Sequence, residues 1–318
     1  MYLNSFADGI APRDMTTSEE FASLLQSAAD LGIDHAPTTA YRSRNIVLRG
    51  MRFHFLEWGT PGRPPLVLLH GGHQSAHSWD LVSLNLARHH HVFALDQRGH
   101  GDSEWARDVD YSGQAMAADA AAFIAALELG RNPVVVGHSM GGRNAMLLAI
   151  RAPALLRALV VVDIGPEISD QGRTAIAGFV RANEEFDDLD HFVSNVQKYD
   201  PYRARAHIER TVKYNMLVRA DGKYISKCDG TARRLGIRPS VPQDNLTLAD
   251  AARIDFPTLV VRGANSNILA PDAAIRFRDA LPHGRLATVP DSGHGVPSQN
   301  TKGFLAALHG FLGELSLG

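Results

Sequence analysis

The chain has 318 residues, 45 % of them hydrophobic and 21 % charged, and a formal net charge of −2. That balance suits a globular protein with a sizeable core and argues against nucleic acid or an anionic membrane surface as the main partner. The single cysteine, Cys228, excludes an intramolecular disulfide and reads as inert packing. No apolar stretch approaches the ~18–20 residues of a membrane span. Met1 to Pro12 lack the basic-then-apolar pattern of a secretion signal, so a cytoplasmic protein is expected.

Residues 1–43 read as an N-terminal helical extension. Thr17-Ser18-Glu19-Glu20 has capping-box spacing, Phe21, Leu24, Leu25 and Ala28 recur at helical spacing, and Gly32 stops the run. It could pack on the body or on a partner subunit. From residue 44 strands and helices alternate. Ile46–Leu48 and Arg52–Trp58 read as an antiparallel pair about a turn at 49–51. Short apolar runs at 66–69, 91–95, 134–136, 159–162, 259–261 and 286–289 read as buried strands. Met116, Ala120, Phe123, Ile124 and Leu127 mark one intervening helix. Buried strands alternating with helices predict an α/β fold with a mostly parallel eight-stranded sheet and helices on both faces. The alternation breaks at 167–247, where charges of both signs and helical spacing (Ile176, Phe179, Val180; Phe192, Val193, Val196) predict a helical cap inserted into a core of 44–166 and 248–318. Pro239 to Pro242 would lead back to that core.

Val134-Val135-Val136-Gly137-His138-Ser139-Met140-Gly141-Gly142 carries the strongest chemical signal. A strand runs into Gly-x-Ser-x-Gly and a helix follows. A nucleophile in a strained turn needs neighbours without Cβ atoms, so that strand and helix can approach. Three further motifs sit at strand ends: His70-Gly71-Gly72-His73, Asp96-Gln97-Arg98-Gly99-His100-Gly101-Asp102-Ser103, and Gly293-His294. His89-His90-His91 makes a poor chelate, because adjacent strand residues face opposite ways, and no metal is expected there.

In this order and spacing the four motifs resemble the α/β-hydrolase superfamily over roughly residues 44–318, the cap excepted. The resemblance implies Ser139 as nucleophile, His294 as its base, and an oxyanion hole from the N–H groups of Gly72 and Met140. One such donor is worth about 3–4 kcal/mol in comparable enzymes. It implies no metal and no organic cofactor. The family's acid usually follows the seventh strand, in a pattern ending in Pro. Here that stretch is Gly263-Ala264-Asn265-Ser266-Asn267-Ile268-Leu269-Ala270-Pro271, with Asn267 where aspartate is expected. An amide cannot stabilise an imidazolium, and in a worked serine protease the same swap costs roughly 10⁴ in rate. Three explanations stand. The acid has moved to Asp163, at the end of the sixth strand, where some members carry it, among them an amidase-like hydrolase of vitamin B6 breakdown. Alternatively Asn267 is a replaced aspartate. Alternatively catalysis is lost or runs on a dyad.

His73, Trp79, His138 and Arg143 are candidates to line the substrate pocket. His70 is expected to pack beneath the oxyanion turn, and Asp96, Arg98 and Asp102 to act structurally. The cap arginines 173, 181, 203, 205 and 210 are expected to be mostly solvated. The implied activity is hydrolysis of a small carboxylic ester, or a related amide or lactone, through a serine acyl-enzyme. Carbon–carbon bond hydrolases share the serine but often carry Gly-Asn-Ser at the turn, where this chain has Gly-His-Ser. The rival from another class is a non-catalytic small-molecule receptor on the same scaffold. A small molecule is the expected partner, with neither nucleic acid nor membrane, and homodimers are common in the superfamily.

Overall fold

A computed structural model describes residues 19–172, 174–175, 178, 185–236 and 246–317. Eight strands form one sheet in the order β1 (Tyr41–Leu48), β2 (Met51–Gly59), β4 (His91–Leu95), β3 (Pro65–Leu69), β5 (Val134–His138), β6 (Ala158–Val162), β10 (Thr258–Gly263) and β11 (Gly284–Val289). β2 runs antiparallel to both β1 and β4, and all the other pairings are parallel. β3 to β6 are buried along their whole length, which is why they read as unbroken apolar runs. Alternate side chains go to opposite faces. Leu66, Leu68, Val134, Val136, Val160 and Val162 join one core with Trp79, Phe304 and Leu308. Val67, Leu69, Val135, Leu159 and Val161 join another with Phe123 of the helix α3 (Gly113–Ala126), Met146, Leu148 and Phe277.

Every predicted strand is present, with ends shifted by a few residues. The largest shift is at β1, which starts at Tyr41 and takes in the last three residues of the extension drawn at 1–43. After Tyr41 its first half is the polar run Arg42-Ser43-Arg44-Asn45 on an edge, so the apolar signal starts only at Ile46. The extension's helix α1 (Glu19–Leu31) packs on the body. Phe21, Leu24 and Ala28 enter the first core beside Tyr41 and Trp58. The capping residues Thr17 and Ser18 lie outside the described residues.

Between β6 and β10 the chain leaves the sheet. The expectation of a purely helical insertion needs correction. Helices Leu189–Tyr199 and Arg205–Val212 are joined by a three-stranded antiparallel sheet of β7 (Glu185–Phe186), β9 (Tyr224–Ser226) and β8 (Met216–Val218). Two or three residues per strand, none forming a long apolar run, leave no sequence signal. Phe186, Phe192, Val193, Val196, Ile208 and Val212 give this region its own small core. Ile176, Phe179, Val180 and the stretch 239–242 lie outside the described residues.

The insertion is tied to the body by charge. Arg210 was expected in solvent but is 5 % exposed, and its Nη1 donates to the buried Asp80 at 2.8 Å. Asp80 opens helix α2 (Asp80–Leu86) and also faces His77 Nδ1 at 3.1 Å. Lys213 and His207 reach Glu20 and Asp30 on α1. A buried carboxylate robbed of its guanidinium is costly. We therefore expect Arg210→Met to lower the unfolding free energy by about 3–5 kcal/mol in urea titrations. A loss below about 1 kcal/mol would mean that His77 alone satisfies Asp80.

Candidate active site

Ser139 lies between β5 and the helix α4 (Met140–Arg151), at φ 51° and ψ −115°. A side chain rarely adopts this region, and the surrounding close packing imposes it. A Cβ on Gly137 would lie 2.3 Å from the Gly141 oxygen, and one on Gly141 would lie 2.2 Å from the Leu69 oxygen. Both motif glycines are therefore required by the approach of α4 to β5 and β3. Register fixes the rest. His138 pairs with Val162, Val162 pairs with Val261, and the Ser139 N–H donates to the Val162 oxygen at 3.0 Å. Asp163, one residue past that row, sits beside the serine turn, also at positive φ (52°).

His294 Nε2 lies 2.9 Å from Ser139 Oγ, and its Nδ1 lies 2.8 Å from Asp163 Oδ2. Asp163 has no solvent exposure. Its Oδ1 accepts from the Gly263 N–H at 3.0 Å, and its Oδ2 accepts from the Ser266 hydroxyl. An ionised carboxylate only accepts, so the Nδ1 proton of His294 points to Asp163. The lone pair on Nε2 then faces the serine hydroxyl. A serine, a base and a group that orients the base are thereby within hydrogen-bond reach of one another, the arrangement required of an activated nucleophile. Asn267 stays out of this chain: it is exposed and lines the cavity without taking the imidazole.

Gly72 and Met140 also line the cavity, and a Cβ on Gly72 would lie 4.0 Å from the Met140 sulfur. Met140 opens α4, so its N–H has no intrahelical acceptor. His70 lies fully buried beneath the turn. Its Nδ1–H donates to the Gly71 oxygen, its Nε2 accepts from the Gln97 N–H, and burial pushes its pKa down to about 4, so the ring stays neutral. His138 is likewise held neutral, its pKa pushed down to about 3 chiefly by burial, and its Nε2–H donates to the His294 carbonyl at 2.8 Å. It therefore fixes the backbone of His294. His73, Trp79 and Arg143 are at the cavity wall, as is His138. The cavity measures about 1340 Å³ and is lined also by the insertion, through Phe192, Val196, Val212 and Ile225.

Asp96, Arg98 and Asp102 all make contacts that hold the scaffold. Asp96 accepts from the N–H groups of Ala76 and Asp102, and Arg98 pairs with Asp119. Among the described residues, one trio of potential metal ligands converges within 4.8 Å, His54, Asp96 and Asp102. Its shared carboxylate is already committed to those amides and to His54. No described helix is long and apolar enough to cross a membrane.

This sheet order, with a serine turn between β5 and its helix, defines a class. The chain belongs to the alpha/beta hydrolase fold family, whose sequence model matches residues 64–301, and it is a hydrolase. Among its relatives, the esterase Rv0045c of Mycobacterium tuberculosis is 29 % identical over 307 residues, spanning 94 % of this chain and 97 % of that one. The crystal structure of that esterase matches with a TM-score of 0.75 at 26 % identity, covering 94 % of this chain and 100 % of its own. The sn-1-specific diacylglycerol lipase ABHD11 of Mus musculus is 30 % identical over 78 % of this chain and 81 % of its own. N-formylmaleamate deformylase of Pseudomonas putida is 28 % identical over 84 % and 95 %.

Two groups at the site escaped the sequence reading. Ser266, which supports Asp163, lies in a loop of small polar residues where nothing marks one serine over its neighbours. Cys228 was read as inert packing. It instead lines the cavity, with Sγ 3.3 Å from His100 Nε2. Burial would raise its pKa, but His100 and His73 outweigh that and bring the thiol down to about 5. Above that pH the thiolate dominates. Iodoacetamide should therefore alkylate Cys228 at a nearly constant rate from about pH 6 to 8, where an ordinary thiol gains about tenfold per pH unit. A steep rise across that range, followed by mass spectrometry, would show that the histidines do not hold the thiolate.

Proposed function

We propose that this hydrolase cleaves small carboxylic esters through a serine acyl-enzyme, with Asp163 as the acid of the triad. The observation that carries the reading is the unbroken chain Ser139–His294–Asp163, at 2.9 and 2.8 Å. Ser139 attacks the acyl carbon while His294 takes its proton, and Asp163 stabilises the imidazolium so formed. The N–H groups of Gly72 and Met140 hold the oxyanion. The alcohol leaves with the proton from His294, and water then repeats the sequence to release the acid. The insertion at 167–247 acts as a lid that sets the shape of the pocket.

The wall also supports a preference for uncharged substrates. Three of its arginines already face carboxylates: Arg203 pairs with Asp200, Arg219 with Glu185 and Asp221, and Arg234 with Asp229. A second reading, an amide substrate, draws on the similarity to N-formylmaleamate deformylase. Comparing a p-nitrophenyl ester with the matching p-nitroanilide separates the two.

Hydrolysis of short and medium p-nitrophenyl esters tests the main reading. Asp163→Asn should lower kcat/KM by about 10⁴-fold, the scale of the same change in a serine protease. Asn267→Ala and Asn267→Asp should stay within about threefold of wild type, because neither removes a partner of the imidazole. Activity that appears only in Asn267→Asp would overturn the assignment of Asp163. A wild-type serine inert to a fluorophosphonate would favour the receptor.

A further inference from the structure

We propose that Ser43, His54 and Asp96 form a second nucleophile relay, on the open face of the β1–β2 pair, that captures acyl groups from activated esters. Ser43 Oγ lies 2.8 Å from His54 Nε2, and His54 Nδ1 lies 2.7 Å from Asp96 Oδ2. These spacings match those of Ser139, His294 and Asp163 to within about 0.1 Å. Asp96 is 1 % exposed and accepts two backbone N–H groups besides the imidazole. Burial alone would raise its pKa, but the hydrogen bond and charge of His54, with its other donors, hold it below the usual carboxylate range. An ionised Asp96 only accepts, so Nδ1 carries a proton, and whenever the ring is neutral that is its one N–H. Nε2 is then an acceptor, and the Ser43 hydroxyl must donate to it.

The base is rigidly placed and the serine is accessible. His54 is 4 % exposed, and its backbone N–H donates to Ser103 Oγ at 2.9 Å. Ser43 is exposed on the edge strand. Asn45 is two residues along the same strand face and opposite His54 in register. Arg52 holds its Oδ1 at 2.8 Å, so the amide N–H groups of Asn45 are the donors this face offers to a developing oxyanion. Nucleophile, base and orienting carboxylate are all present, whereas a strained turn and a pair of backbone donors are not. The ligand class follows. Without an enclosed pocket or an acid for the leaving group, the relay takes acyl donors whose leaving group departs as a stable anion.

With p-nitrophenyl acetate, a bond forms between Ser43 Oγ and the carbonyl carbon, and the carbon–oxygen bond to the aryl group breaks. p-Nitrophenolate leaves with that electron pair, and the serine proton passes to His54 Nε2 and on to solvent. The product is O-acetyl-Ser43. The full chain carrying Ser139→Ala, incubated with p-nitrophenyl acetate and mapped by peptide mass spectrometry, tests this. Ser43 should be acetylated ahead of every other serine. Adding Ser43→Ala should remove that acetyl group, and adding His54→Gln should slow its formation by about 100-fold, the lower end of what general bases contribute. Acetylation of Ser43 no faster than that of other exposed serines, or a rate indifferent to His54→Gln, overturns the relay. If His54→Gln does not fold, the ratio of Ser43 to other serines decides the matter.

Discussion

A carboxylate with no access to water sits at the end of β6, and the geometry around the serine turn depends on how it is satisfied. Burying an ionised aspartate is costly unless its oxygens are filled with donors. Asp163 collects three: the Nδ1–H of His294, the N–H of Gly263 and the hydroxyl of Ser266. Two of these come from β10 and the loop after it, so the neighbouring strand supplies donors to the Asp163 carboxylate. On the proposed assignment of the triad, an asparagine at 267 leaves the imidazole its carboxylate. β6 and β10 pair in parallel and end side by side, so a carboxylate from either could reach the same imidazole.

Strain is the second constraint. Ser139 and Asp163 both adopt left-handed backbone without being glycine. Each such residue costs of order 1–3 kcal/mol and persists only where its surroundings over-determine it. The over-determination is visible in the ladder. Ser139 N–H and Asp163 N–H both donate to the next strand over, to Val162 and Val261, so the two residues leave the sheet at the same level and point the same way. The close approach of α4 at Gly137 and Gly141 then leaves the serine side chain one direction to take.

How legible this was in the sequence follows from the physics of each part. The strands of the main sheet could be read because both faces are covered, which writes them as apolar runs. β7, β8 and β9 could not, because two- and three-residue strands in a small polar insertion leave no period to find. Ser139, His294 and the two oxyanion candidates could be placed because their chemistry demands residue types at fixed offsets from strand ends. Asp163 was legible only as one of several explanations. An aspartate at a strand end also caps turns, and its distinguishing feature, a donor on every oxygen, is a property of packing. Arg210 was misread for the same reason. Its charge suggested solvent, but its partner lies 130 residues away on α2.

The comparison of the two serine relays isolates what a hydrolase adds to a hydrogen-bonded trio. Ser43 lies within a regular ladder, paired with Leu56, and its backbone amides belong to the sheet or to water. Ser139 stands at a helix start, where the following N–H is free and strain points the hydroxyl at a cavity. Activation of the oxygen depends on the imidazole and the carboxylate, and both serines have those. Turnover depends on holding an oxyanion twice, once to make the acyl-enzyme and once to break it, and that requires fixed donors in a site closed to bulk water. On the proposed reading those donors lie at the β5–α4 turn and the turn after β3, so turnover falls to Ser139, while the edge of the sheet is suited to a single capture.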